Sequence, residues 1–157
     1  MTALRFLALQ TATVSALRDG APDANGQPPE RHTAQGAGNP CRHCLTEIAD
    51  GAPMLVLAHR PFEEPQPYAE VGPIFLHAEH CARYHEEDEV PAIFRGRDRL
   101  LIRGYGADDR IVYGTGEIVP TNAIAGAARD MLARDDVAYI HVRSASNNCY
   151  QCRIERA

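Results

Sequence analysis

Lysine and tryptophan are both absent from this sequence of 157 residues, and all sixteen basic residues are arginines. The lack of lysine excludes Schiff-base chemistry, lysine general bases and phosphate-binding loops that depend on a lysine. Arginine remains well suited to binding carboxylates or phosphates, because its planar guanidinium presents a fork of donors. The net charge of -5 argues against nucleic acid as a partner.

Long apolar runs are also missing, since none approaches the roughly 18 residues that a membrane helix needs. The N-terminal stretch MTALRFLALQTATVSALR contains Arg5 and Gln10 and lacks a convincing cleavage site. We therefore expect neither a membrane association nor a secretory signal, and a cytoplasmic location. In that compartment cysteines stay reduced, and the odd count of five fits free thiols.

The pattern of short apolar segments predicts an α+β fold in one domain, residues 1–157. Residues 20–40 are rich in glycine, proline and small polar residues and predict a long, flexible N-terminal loop. A first strand is expected from Leu4 to Leu9, and a main covering helix is expected to begin with Thr121 as its cap. The other predicted strands are APMLVLAHRPF, EVGPIFLHAEHC (running into a helical turn), DRLLIRGYG, DRIVYGTGEIV, VAYIHVR and CYQCRIER. Together they favour a small mixed or antiparallel sheet.

A candidate metal site combines Cys41, Cys44, His77 and Cys81. Zinc takes four nitrogen or thiolate ligands in a tetrahedron, and the two-residue spacing lets a tight knuckle present two sulfurs to one ion. A knuckle, a strand hairpin and ligands at a helix start resemble the treble-clef zinc finger, although three residues separate the second pair here instead of two. His80 could replace either member of that pair. The alternative is that these are reduced cysteines packed in or near a core.

The same Cys41-Arg42-His43-Cys44 stretch has a redox interpretation, which the neighbouring sequence does not favour. A redox pair needs a helix whose N-terminus lowers the pKa of the first thiol. The segment LTEIADG supplies at most one turn before Gly51 and Pro53 end it.

A second candidate site lies on the C-terminal hairpin. His141 and Arg143 share one face of a predicted strand and form a platform for anion binding or acid–base chemistry. Cys149 with His141 could act as a nucleophile and its base, so His141, Arg143 and Cys149 are the candidate catalytic residues. On the next strand, alternation places Tyr150 on the face opposite Cys149. The alternative is an exposed polar strand face.

Four residues complete the predicted sites as candidate ligand-binding groups: Arg42, Tyr68, Glu70 and Tyr150. Tyr68 and Glu70 stand near the Gly-Pro turn of PYAEVGPIF. The expected ligand is a small anionic molecule or a protein.

Short motifs from about Arg31 to the end resemble a family of small bacterial proteins known only as a domain of unknown function. The motifs are Pro40-Cys41-Arg42, Ile74-Phe75, His141-Val142-Arg143 and Cys149-Tyr150, with departures at Leu76 and Asn148. The resemblance implies no activity. It includes Cys41 but not Cys44, His77 or Cys81, so it implies that a zinc tetrad would belong to this chain and not to the family as a whole.

Taken together, these features predict a small binding or structural module with a candidate structural zinc site. The alternative is a thiol- or histidine-dependent enzyme with its site around His141 and Cys149.

Overall fold

Two antiparallel sheets and two short helices make up the fold in a computed structural model, which describes residues 2–85 and 88–157. The chain divides into two compact units. The first unit comprises Met1–Leu7, Phe62–Ala69 and His85–Ala157, and the second comprises Ala8–Pro61 and Glu70–Tyr84. The predicted α+β fold is confirmed, whereas the single domain over 1–157 stays a prediction.

The elements follow one another along the chain as β1 (Leu4–Leu7), α1 (Thr11–Arg18), β2 (Glu30–Thr33), β3 (Pro53–His59), β4 (Gly72–His77), β5 (Arg99–Tyr105), β6 (Glu117–Pro120), α2 (Ile124–Leu132), β7 (Tyr139–Ser144) and β8 (Tyr150–Arg156). Two 3₁₀ turns, Ala92–Phe94 and Thr121–Ala123, precede β5 and α2 respectively.

The first unit contains a five-stranded sheet in the order β1-β8-β7-β5-β6. β7 lies at its centre, and both faces of this strand are buried from Tyr139 to Arg143. Aromatic and β-branched residues favour such a strand because they pack well on a pleated surface. Helix α2 buries Ile124, Ala128 and Leu132, the helical spacing that the sequence predicts.

The second unit contains a three-stranded sheet in the order β2-β3-β4, together with helix α1. β3 buries Met54, Leu55 and Leu57, and it pairs with β4 over six residues. β2 is an exposed edge strand inside the segment 20–40, and the rest of that segment is loop and turn. The long N-terminal loop is therefore present, with one short strand in it.

Several local predictions are wrong. The strand expected to reach Leu9 ends at Leu7, and bends replace the helical turn expected after His77. Strand β6 is only four residues long, because the turn that precedes it includes Gly114 with φ +89°. Thr121 does not cap α2; it begins a 3₁₀ turn after Pro120, and its backbone N–H donates to the Asp98 carbonyl.

Neither of the two helices in the described part of the chain has the length and apolar character of a membrane span.

Candidate metal centre

The first two predicted ligands lie in a tight turn of the second unit. The Cys41 N–H donates to the Thr46 carbonyl at 2.9 Å, and the Leu45 N–H donates to the Cys41 carbonyl at 3.0 Å. This turn requires a positive φ of 54° at Leu45, a conformation that costs a non-glycine residue of the order of 1 kcal/mol. The Leu45 side chain is fully buried, which offsets the cost. The turn thus presents Cys41 and Cys44 as a knuckle.

Strand β4 brings the other two ligands to the knuckle. Cys41 forms a parallel bridge with Phe75, and the Arg42 N–H donates to the Phe75 carbonyl at 3.1 Å. His77 ends β4, and its backbone N–H lies 3.4 Å from the Cys41 sulfur. The bends that follow then return the chain to Cys81. The end of a strand and the bend after it therefore position the second pair of predicted ligands, where the sequence predicts the start of a helix.

The ligand atoms of Cys41, Cys44, His77 and Cys81 all lie within 4.8 Å of one another. The Cys41 and Cys81 sulfurs are 3.9 Å apart, and the Cys44 sulfur is 3.4 Å from His77 Nδ1. A tetrahedral zinc ion with bonds of about 2.3 Å to sulfur and about 2.0 Å to nitrogen holds two sulfurs about 3.8 Å apart and a sulfur–nitrogen pair about 3.5 Å apart. Both distances fit one ion of this size. His80 is exposed, and His77 is the histidine in the cluster.

The three sulfurs interact strongly with one another. Hydrogen bonds from Cys44 and Cys81 lower the pKa of the Cys41 thiol far below its usual range. The same bonds to Cys41 raise the pKa of Cys44 and of Cys81. Three neighbouring thiols therefore carry one negative charge most readily at Cys41. A bound cation would favour the thiolate at all three, because a thiol that coordinates a metal releases its proton to solvent.

Outer partners hold the Cys81 sulfur. Arg18 Nη2 donates to it at 3.1 Å, and Arg18 Nε donates to the His77 carbonyl at 3.1 Å. His43 Nδ1 is 3.1 Å from the same sulfur, and His43 Nε2 is 2.9 Å from the Thr11 hydroxyl. Burial, more than any nearby charge, lowers the pKa of His43. A neutral ring that donates from Nδ1 and accepts the Thr11 proton at Nε2 satisfies both contacts.

These outer partners are functional candidates that the sequence does not reveal. Arg18 comes from α1, 63 residues before Cys81, and no local pattern connects the two. His43 lies between the two cysteines of the knuckle, where its spacing gives it no ligand role. Only the folded unit brings them to one sulfur.

Arg42 packs between the start of the knuckle and strand β4. Its guanidinium donates from Nη1 to the Pro40 carbonyl at 2.7 Å and lies 5.7 Å from the centroid of the Phe75 ring. Only 2% of its surface is exposed. These contacts account for the burial of a charged side chain at this position, and a ligand-binding role for Arg42 stays a prediction.

Tyr68 and Glu70 belong to different units. The Tyr68 hydroxyl lies 3.1 Å from that of Tyr113, and the Arg110 guanidinium stands 5.4 Å from the Tyr68 ring centroid. Glu70 is exposed. A ligand-binding role for either residue stays a prediction.

The candidate site on the C-terminal hairpin is a buried ring cluster in the first unit. His141 is fully buried, which excludes the exposed strand face considered as the alternative. The centroid of its ring lies 4.7 Å from that of Tyr105, 4.9 Å from Tyr150, 5.1 Å from Phe62 and 5.2 Å from Tyr139. A β-bulge brings Tyr150 to His141, because the register shifts after Val142 and pairs Arg143 with Tyr150.

The bulge also changes the predicted faces of β8. Regular alternation places Tyr150 with Cys152, whereas the inserted residue turns Tyr150 to the side of His141. Cys149 lies in the preceding turn, with its Sγ 3.8 Å from the Asn147 carbonyl. Arg143 Nη1 donates to the Asn148 carbonyl of this turn at 3.1 Å. The structure thus joins His141 to Tyr150 and Arg143 to the turn of Cys149, while a catalytic role for His141, Arg143 and Cys149 stays a prediction.

Comparison with known proteins gives a family and no activity. Residues 38–156, about three-quarters of the chain, match the family described as "Protein of unknown function (DUF1203)". No curated protein and no solved structure matches the chain. The matched span contains all four clustered ligands as well as the C-terminal hairpin. The resemblance noted in the sequence is thereby confirmed, and the chain belongs to the DUF1203 family of proteins of unknown function.

Proposed function

We propose that this protein is a zinc-stabilised binding module in which Cys41, Cys44, His77 and Cys81 hold one structural zinc ion. The observation that carries the proposal is the approach of three sulfurs and one imidazole nitrogen to within 4.8 Å of one another. Three thiolates and an imidazole form a ligand set that binds zinc in preference to calcium or magnesium, because those two ions take oxygen ligands.

A structural role follows from the number of protein ligands. Catalytic zinc sites keep a coordination position for water or substrate, whereas structural sites are closed by four protein side chains. Here four side chains supply the set, and Cys41 is fully buried. The ion would tie the knuckle to the end of β4, so that metal binding and folding of the second unit are coupled.

The first test is the metal content of protein purified without added metal. We expect about one zinc per chain, and Cys44→Ser should lower that content because it removes a thiolate. Cys149→Ser is the matched control, since Cys149 is also a half-buried thiol but lies outside the cluster. It should retain the zinc of the wild type.

Cobalt substitution gives a second readout that does not depend on the yield of folded variant. Co²⁺ bound by three thiolates and one imidazole should give the absorption bands of a tetrahedral thiolate site in the wild type and in Cys149→Ser, with weaker charge-transfer bands in Cys44→Ser. Folded wild-type protein with no zinc and no tetrahedral cobalt spectrum would overturn the proposal.

A further inference from the structure

A cavity of about 700 Å³ lies in the first unit, beside the point where β6 ends and α2 begins. Val90, Phe94 and Ile124 give it apolar walls, and Arg95 and Arg97 give it two guanidinium groups. This volume lies in the range of sites for small molecules, which combine apolar walls with a few polar groups.

A second cavity of about 370 Å³ adjoins the first. Arg97 and Asp98 line both cavities, and Arg99 and Ser144 line only the second. The β-ladder accounts for this arrangement, because Arg99 is paired with Pro120 at the end of β6, and Ser144 ends β7 opposite Leu100. Arg97 therefore borders two spaces at one edge of the sheet.

The arginines at this edge are not held in close ion pairs by the described residues. Within residues 2–85 and 88–157, neither Arg95, Arg97 nor Arg99 forms an ion pair with a carboxylate. The side chain of Arg97 makes one hydrogen bond there, from Nε to the Ile93 carbonyl at 3.0 Å. That bond fixes the guanidinium and leaves the donors on its two Nη atoms for another acceptor.

A hydroxyl group in the wall of the first cavity also favours a ligand that carries hydrogen-bond acceptors. The Thr121 Oγ1 atom is buried and makes no hydrogen bond to the described part of the chain. A buried hydroxyl without a partner is costly, so a bound oxygen acceptor would be stabilised at this position. Helix α2 begins three residues later and has no side-chain cap, which adds a favourable potential for an anion.

We propose that the first cavity binds a small organic oxyanion, a carboxylate or a phosphate on an apolar body. Arg95 and Arg97 would bind the oxyanion, Thr121 would donate to it, and Phe94 and Val90 would contact the apolar part. The carboxylates of Glu89 and Asp98 also line the cavity, which favours a ligand with one oxyanion over a polyanion. No candidate metal ligand takes part, so the proposal is independent of zinc binding.

Phenyl phosphate, benzoate and inorganic phosphate are suitable probes, with binding followed by titration calorimetry and amide NMR shifts. We expect saturable binding of phenyl phosphate or benzoate, and weaker binding of inorganic phosphate because it lacks an apolar body. Whichever of the two aromatic probes binds more tightly identifies the oxyanion as phosphate or carboxylate. Arg97→Gln should weaken the binding at least tenfold, because it removes a charge-assisted contact.

Two further variants make the result independent of misfolding. Asp98→Asn should tighten binding severalfold, because it removes a like charge from the wall, and a damaged fold would not produce a gain. Arg134→Gln is the matched control, since Arg134 is exposed and paired with Asp136 outside the cavity. Failure of both aromatic probes to bind saturably, or equal affinities in Arg97→Gln and the wild type, would overturn the proposal.

Discussion

Two side chains outside the predicted ligand set, those of Arg18 and His43, contact the sulfur of Cys81. The side chains of Arg18 and His43 and the Cys41 sulfur all approach it, at 3.1, 3.1 and 3.9 Å. Partners outside the ligand shell fix the orientation of ligands and are commonly worth a factor of 10 to 100 in metal affinity. Arg18 also binds the His77 carbonyl, so one guanidinium positions two ligands.

From this arrangement we predict that Arg18→Met lowers the affinity for zinc about tenfold without removing a ligand. Competition with a calibrated zinc chelator measures the change. Arg31→Met is the control, because Arg31 is an exposed residue of the edge strand β2 in the same unit. Equal zinc affinities for Arg18→Met and the control would show that the contact to Cys81 has no positioning role.

The residues of the site differ in whether the sequence alone could predict them. Cys41 and Cys44 could be predicted as a pair because two-residue spacing alone presents both sulfurs to one ion. His77 and Cys81 could be predicted from a strand followed by a short return, although bends and not a helix make that return. Arg18 could not be predicted, because its contact with Cys81 exists only through tertiary structure.

At the scale of elements, the β7–β8 hairpin shows how one inserted residue redirects a side chain. The sequence predicts both strands, because their aromatic and β-branched residues alternate as in a half-buried sheet. It does not predict the bulge, which depends on how two strands pair and not on either strand alone. For this reason regular alternation along β8 groups Tyr150 with Cys152, whereas the structure places the Tyr150 ring against His141.

A hydrogen bond joins the connection after β5 to this hairpin. The Tyr139 hydroxyl donates to Asp109 Oδ1 at 2.7 Å, and Asp109 adopts a positive φ of 61°. Burial, and then the bond to the carboxylate, raise the pKa of Tyr139, so the phenol remains a donor. A hydrogen bond to a charged group stabilises a protein by about 1.5–3 kcal/mol.

We therefore expect Tyr139→Phe to lower the free energy of unfolding by about 2 kcal/mol. Chemical denaturation of the variant and the wild type measures the difference. Tyr113→Phe removes a hydroxyl of an exposed tyrosine in the same unit, which is 74% accessible, and should change stability by less than about 0.5 kcal/mol. Similar losses in both variants would contradict a special role for the Asp109 bond.

At the scale of the whole molecule, the α+β class could be predicted from many short apolar segments and one regular helical pattern. The division into two units could not, because each unit is discontinuous in sequence. Phe62–Ala69 belongs to the first unit although it lies between β3 and β4 of the second. No shift in composition marks such a boundary, since it is the tertiary contacts that assign a segment to a unit.

The stability of the whole molecule in acid depends in part on His59, a histidine of β3. Burial, followed by the charges of Arg42 and Arg60, lowers the pKa of His59 from 6.5 to about 4. Because the unfolded chain binds the proton more readily, the unfolded state gains protons first as the pH falls. The neutral histidine therefore contributes stability that is present above about pH 6.5 and is lost as the pH approaches 4.

We predict that between pH 7 and pH 4 the wild type loses up to about 3 kcal/mol more free energy of unfolding than His59→Gln, which has no proton to gain at this position. Urea denaturation at a series of pH values, with the same metal content in both proteins, measures the two curves. Carboxylates that titrate in this range affect both proteins alike, so they cancel in the difference. Parallel curves for the two proteins would mean that His59 is protonated as easily in the folded chain as in the unfolded one.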